Sequence, residues 1–126
     1  MPSNSGRIAE AFAKARADDR AALVVYTTAG YPRKESGLDV LLALADAGSD
    51  VLELGVPFSD PLADGPTIQR SSYDAIQEGV DLRWTLDLLR SFRERRETPV
   101  VLFSVWGGRE VKTWAYLVSF AAAMIG

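Results

Sequence analysis

Residues 53–66 read ELGVPFSDPLADGP, with three acids, three prolines and two glycines in one short stretch. The apolar run before it, Val51-Leu52-Glu53-Leu54, has the composition of a short buried strand. A strand that stops on a carboxylate and leads into a proline-stiffened acidic loop sets the frame for everything around it. Downstream, Pro66 suits the first turn of a helix running to about Glu78, where Gly79 stops it. Upstream, Leu38, Leu41, Leu42 and Ala45 recur at helical spacing, and Gly48 closes that helix as its C′ residue.

Further out the alternation continues. Ala22-Leu23-Val24-Val25-Tyr26-Thr27 reads as a strand, preceded by a helix that Ser5 caps and that carries Ile8, Phe12 and Ala15 on one face to about Ala17. Asp81 caps a helix over 82–96 with Leu82, Leu86, Leu89 and Phe92 on one side, and TPVVLFS, 98–104, is a third strand. Nearly all-apolar strands separated by helices imply a parallel sheet buried on both faces, so the fold class is α/β. After Ser104 the pattern changes, and 105–126 could form one last helix with a broad apolar face.

The whole chain has 126 residues, 48% apolar and 25% charged, which fits one globular domain. A net charge of −3 gives no basic footprint for nucleic acid. Cysteine and histidine are both absent, which removes thiolate nucleophiles, disulfides, His-ligated zinc and the Ser-His-Asp triad. Chemistry must fall to carboxylates, Tyr, Lys or backbone groups. The N-terminus lacks a signal-peptide apolar core, and the longest apolar tract, WAYLVSFAAAMIG, is shorter than the ~20 residues that span a bilayer. The expected location is the cytoplasm, with no membrane partner.

In parallel sheets, ligands gather at the carboxyl ends of strands. Glu53 lies at such an end between apolar neighbours, where lost hydration favours the neutral acid and suits a proton donor. The alternative is a strand-end acid that simply reaches water. Asp60 precedes Pro61 and Asp64 precedes Gly65, so both could be turn formers, and Asp64 could cap the helix that starts near Pro66. Glu53, Asp60 and Asp64 together could instead take a hard cation such as Mg²⁺. Tyr26 and Thr28 at the end of the first strand, with Phe103 and Ser104 at the end of the third, would share that rim and outline an aromatic-walled pocket.

The run ELGVPFSDPLADGPTIQRSS closely resembles the signature of the tryptophan synthase alpha subunit family. ALVVYTTAGYP resembles that family's first strand and loop, DAGSDVLELG its second, and TPVVLFS the start of its third, so the resemblance covers about residues 5–104. It implies a (β/α)₈ barrel of which this chain holds the N-terminal portion, about three parallel strands with their helices. It also implies a carbon–carbon lyase: retro-aldol cleavage of indole-3-glycerol phosphate to indole and glyceraldehyde 3-phosphate in tryptophan biosynthesis. That reaction needs no metal or organic cofactor, and pyridoxal phosphate belongs to the partner β subunit of an α₂β₂ complex. Carried onto matching positions, Glu53 is the acid/base at the indole ring and glycerol hydroxyl, and Asp64 accepts from the indole N–H. Tyr26, Thr28 and Phe103 fall in the substrate pocket, and Pro57 and Asp60 fall where the loop meets the β subunit.

The chain departs from that pattern in two ways. A barrel of this kind takes at least about 200 residues. Val105-Trp106-Gly107 also stands where the family continues with Tyr-x-Asn. The expected organisation is therefore a family segment, 1–104, and a non-matching tail, 105–126. The competing expectation is a truncated or frameshifted, non-catalytic fragment that keeps at most the loop for the β subunit.

Overall fold

The structure, a computed structural model, describes residues 4–57 and 65–104. Among these, α1 spans Asn4–Ala17, β1 Val24–Thr28, α2 Gly37–Asp46, β2 Val51–Gly55, α3 Pro66–Gln77, α4 Leu82–Arg93 and β3 Val100–Phe103. A short 3₁₀ turn, Lys34–Ser36, leads into α2. Helix α1 begins at Asn4, so Ser5 lies inside the helix rather than before it. β3 starts later than expected because Pro99 has no N–H for a ladder. The tail from 105 onward lies outside the described residues.

Helix ends follow their local chemistry. Asp81 caps α4 as expected, its carboxylate accepting from the Trp84 backbone N–H at 2.8 Å. Helix α2 closes with paired bonds, Gly48 N–H to the Ala45 carbonyl at 3.2 Å and Ser49 N–H to Leu44 at 3.3 Å. Helix α3 closes the same way through Gly79 and Val80. This double bond pattern needs a left-handed residue at C′, which Gly48 (φ 109°) and Gly79 (φ 85°) supply without steric cost. In α1 the same position falls to Asp19 at φ 54°, which explains why Asp18-Asp19-Arg20 ends the helix without a glycine.

The three strands are parallel and lie in chain order, β1-β2-β3. Asp50 fixes the start of this register. Its two carboxylate oxygens accept from the Arg20 guanidinium at 2.7 and 3.0 Å, and one also accepts from Leu23 N–H at 2.7 Å. The pair holds Asp50 at a pKa of about 2, below the usual carboxylate value, chiefly through the Arg20 hydrogen bond and then the Leu23 amide. A second two-pronged pair, Arg96 with Asp46 at 2.8 and 3.0 Å, joins the end of α2 to the turn after α4.

Side chains alternate between the two faces. Leu52, Leu54, Val100 and Leu102 point to one side and form a buried core with Leu41 and Leu42 of α2, Ala75 of α3, and Leu88, Leu89 and Phe92 of α4. The other face carries Val24, Tyr26, Glu53, Val101 and Phe103, in register across the strands. It is not sealed: Tyr26, Glu53, Val101 and Phe103 are half-buried and Val24 is 42% exposed. Burial on both faces was expected; among the described residues the helix-covered face is closed, and the other is buried at Val51, Thr28 and Gly55 but partly open between them. Sequential parallel strands with helices on one side are the arrangement of a singly wound barrel segment, in which the opposite face turns inward.

Candidate functional site

Register brings the predicted residues together. Tyr26, Glu53 and Val101 form one cross-strand row on the open face, and Thr28, Gly55 and Phe103 form the next row toward the carboxyl ends. Glu53 thus stands between an aromatic ring and a valine, half-buried. Above it the Tyr26 and Phe103 rings meet edge to face, with centroids 6.2 Å apart and planes at 88°. The rim is stitched by backbone bonds from Ala29 N–H to the Gly55 carbonyl at 2.9 Å and from Val56 N–H to Phe103 at 2.8 Å.

Two residues that the sequence did not single out complete the site. Gly55 allows the Tyr26 ring to lie across β2. A methyl group there would fall onto the Tyr26 hydroxyl and within 2.7 Å of ring carbon Cζ. A glycine inside a strand is the available signal for such a close approach. Ser71 of α3 is the second, buried and 2.7 Å from Thr28 Oγ1. The Ser71 hydroxyl donates its proton to the Ile68 carbonyl at 3.0 Å, so Thr28 donates to Ser71. Thr28 Oγ1 in turn faces the Tyr26 hydroxyl at 3.5 Å. This relay ties the aromatic wall to the first turns of α3. Ser71 gives no signal in the sequence, because a serine in a helix usually faces solvent.

Pro57 is buried just past the end of β2. Asp60 and Asp64 lie outside the described residues. Helix α3 has Gly65 at its N-cap with no side-chain cap, so the capping role open to Asp64 falls instead to the residue after it. Among the described residues no three acidic groups gather in a way that could hold a metal ion.

This arrangement offers a half-buried carboxylic acid on a sheet face one row below an aromatic pair, where a group able to exchange protons stands beside an apolar wall. A family model described as tryptophan synthase alpha chain matches residues 12–107. The tryptophan synthase alpha chain of Methylibium petroleiphilum is 52% identical over 97 residues, covering 76% of this chain and 36% of that protein. That of Xylella fastidiosa strain 9a5c is 47% identical over 118 residues, so its alignment reaches past Ser104; it covers 93% of this chain and 44% of its own. The crystal structure of the alpha subunit from Legionella pneumophila superposes with a TM-score of 0.79 at 36% identity, covering 95% of this chain and 46% of that one. The chain spans less than half the length of each of these relatives. Half or more of this sequence matches the family model, and its three strands are a segment of the family's barrel: the chain belongs to the tryptophan synthase alpha chain family.

Proposed function

We propose that this chain carries the acid/base portion of an indole-3-glycerol phosphate lyase. The observation that supports it most is the register that sets Glu53 beside Tyr26, one row before the Tyr26–Phe103 edge contact, on the half-buried face of the sheet. In the retro-aldol step a proton is delivered to the indole carbon that bears the glycerol chain. The hydroxyl on the adjacent carbon loses its proton, the carbon–carbon bond breaks, and indole and glyceraldehyde 3-phosphate separate. Glu53 serves these transfers, while Tyr26, Thr28 and Phe103 wall the ring. Asp64, from the loop before α3, accepts from the ring N–H and stabilises the positive charge that protonation creates. The reaction draws on no cofactor of this chain. Indole passes to a partner β subunit that holds pyridoxal phosphate, with Pro57 and Asp60 at the contact, and the complex works in the cytoplasm.

The test places residues 1–104 into a full-length relative in exchange for its own segment and measures indole release. The graft is expected to turn over, and Glu53→Gln in it to lose about 10² to 10⁴-fold in kcat, the range of general acid–base catalysis. A Glu53→Gln graft with unchanged kcat would overturn the assignment. For a polypeptide of these 126 residues alone we infer little or no turnover. Barrels of this type hold substrate phosphate with loops after strands 7 and 8, and three strands are described here. Indole release near that of the full-length relative would contradict this second reading.

A further inference from the structure

Helix α3 starts at Gly65 without a side-chain cap and rests against β1. A line of three hydroxyl groups, ending on a backbone carbonyl, fastens the two elements. Ser71 Oγ lies 3.0 Å from the Ile68 carbonyl and 2.7 Å from Thr28 Oγ1, and Thr28 Oγ1 lies 3.5 Å from the Tyr26 hydroxyl. Ser71 and Thr28 are 7% and 5% exposed, so both hydroxyls depend on protein partners.

The carbonyl sets the direction of the whole line. A carbonyl only accepts, so the one Ser71 proton goes to Ile68. Ser71 then accepts from Thr28, and Thr28, its own proton already given, accepts from Tyr26. The Tyr26 proton is thereby drawn into the seam between β1 and α3, at the tip of a ring that Gly55 lets lie across β2. Tyr26 is the cross-strand partner of Glu53, and its ring meets Phe103 edge to face. Through Ser71, a helix residue that touches neither ring nor acid, α3 governs the wall beside Glu53.

We infer that Ser71 is a positioning residue of this site: acting through Thr28, it fixes the Tyr26 hydroxyl and so the angle of the ring that walls the substrate next to Glu53. The role rests on the lyase reading of the same face. A wall that meets the substrate ring in the ground state and the transition state alike contributes to KM and little to kcat.

Two preparations decide it, the graft of residues 1–104 in a full-length relative and the whole 126-residue chain. In the graft, Ser71→Ala is expected to raise KM for indole-3-glycerol phosphate about 3- to 10-fold, the scale of one hydrogen bond, with kcat held within about twofold. A purely structural serine would do the reverse, since fewer folded molecules lower kcat and leave KM unchanged. Ser71→Thr, which keeps the hydroxyl, should return KM to near the starting value. Should either variant fail to fold, Ser71→Cys, a weak donor of similar shape, takes its place and should raise KM. Adding Ser71→Ala to Thr28→Val should raise KM no further, because the line is already cut. In the whole chain without substrate, the Tyr26 ring-proton NMR signals, assigned by their loss in Tyr26→Phe, should shift in both Ser71→Ala and Thr28→Val. An unchanged KM in Ser71→Ala, or effects of the two variants that multiply, overturns the role. Unshifted Tyr26 signals overturn it too, whether or not the graft turns over. The lyase reading is judged separately by Glu53→Gln: unchanged kcat there, with KM and ring signals moving as expected, would sink the acid assignment and leave the positioning role standing.

Discussion

Replacing Gly55 with alanine isolates what holds the aromatic wall over Glu53. The φ of Gly55 lies outside the left-handed range, so its backbone accepts an L-residue. On backbone grounds alone, Gly55→Ala should stabilise the fold by about 0.4–1 kcal/mol through a less flexible unfolded chain. The added methyl, however, meets the Tyr26 hydroxyl and sits 2.7 Å from Cζ and 3.0 Å from Cε2. Tyr26 must swing away, which breaks its edge contact with Phe103 and its approach to Thr28. Overpacking of this kind costs about 1–3 kcal/mol. The net expectation is a loss of about 1–2 kcal/mol, or a fall in Tm of about 4 °C per kcal/mol in a domain of this size. The assay is a double-mutant cycle by thermal or urea unfolding with Tyr26→Ala. With the ring gone the alanine should become neutral or stabilising, so the coupling between positions 26 and 55 should reach about 1–3 kcal/mol. If Gly55→Ala costs the same with and without the Tyr26 ring, the close approach is not its cause and the reasoning fails.

Three further perturbations follow from the same geometry. Asp19→Gly should stabilise the chain by about 1 kcal/mol, read as a higher Tm, because Asp19 sits at φ 54° where only glycine is free of strain. Asp50→Asn should cost about 1 kcal/mol at neutral pH, a figure reduced for the solvent that reaches Arg20, which is 40% exposed. Because the folded pKa of Asp50, about 2, lies below its unfolded value, this stability is full above about pH 4 and disappears as pH falls toward 2. Melting curves of wild type and variant should therefore converge at the acid end; a constant gap would refute the linkage. Ser71→Ala should cost about 1–2 kcal/mol in urea unfolding because it strands the buried Thr28 hydroxyl, whereas adding Thr28→Val should recover part of the loss.

Much of this was legible from local chemistry. The Asp81 cap and the glycines at positions 48 and 79 each act within one turn of chain, so residue type alone carried them. The apolar spacing of α2, and of α4 at Leu89 and Phe92, marked faces that now pack on Leu52, Leu54, Val100 and Leu102, whereas Leu82, expected on the same α4 face, is 49% exposed and Leu88 is buried in its stead. The strand-end Glu53 was visible because alternation in a strand fixes which neighbours share its face. The role of Ser71 was not visible, and that of Gly55 showed only as a glycine inside a strand, without the ring it makes room for. One answers to a ring on a neighbouring strand, the other to a threonine 43 positions away in the chain. Burial of the second sheet face is partial, with Val51 and Thr28 buried and Val24 42% exposed, because apolar strands report capacity for burial and not what is present to cover them.

Sequence by itself determined the alternation of strands and helices, their boundaries to within a few residues, and the family. Those properties rest on short-range capping, periodicity and one long, specific run of residues. Tertiary structure alone decided that Tyr26, Glu53 and Val101 share a row and that Ser71 anchors Thr28. These depend on strand register and on the docking of helices distant in sequence, where an advance of one residue would turn every side chain to the other face.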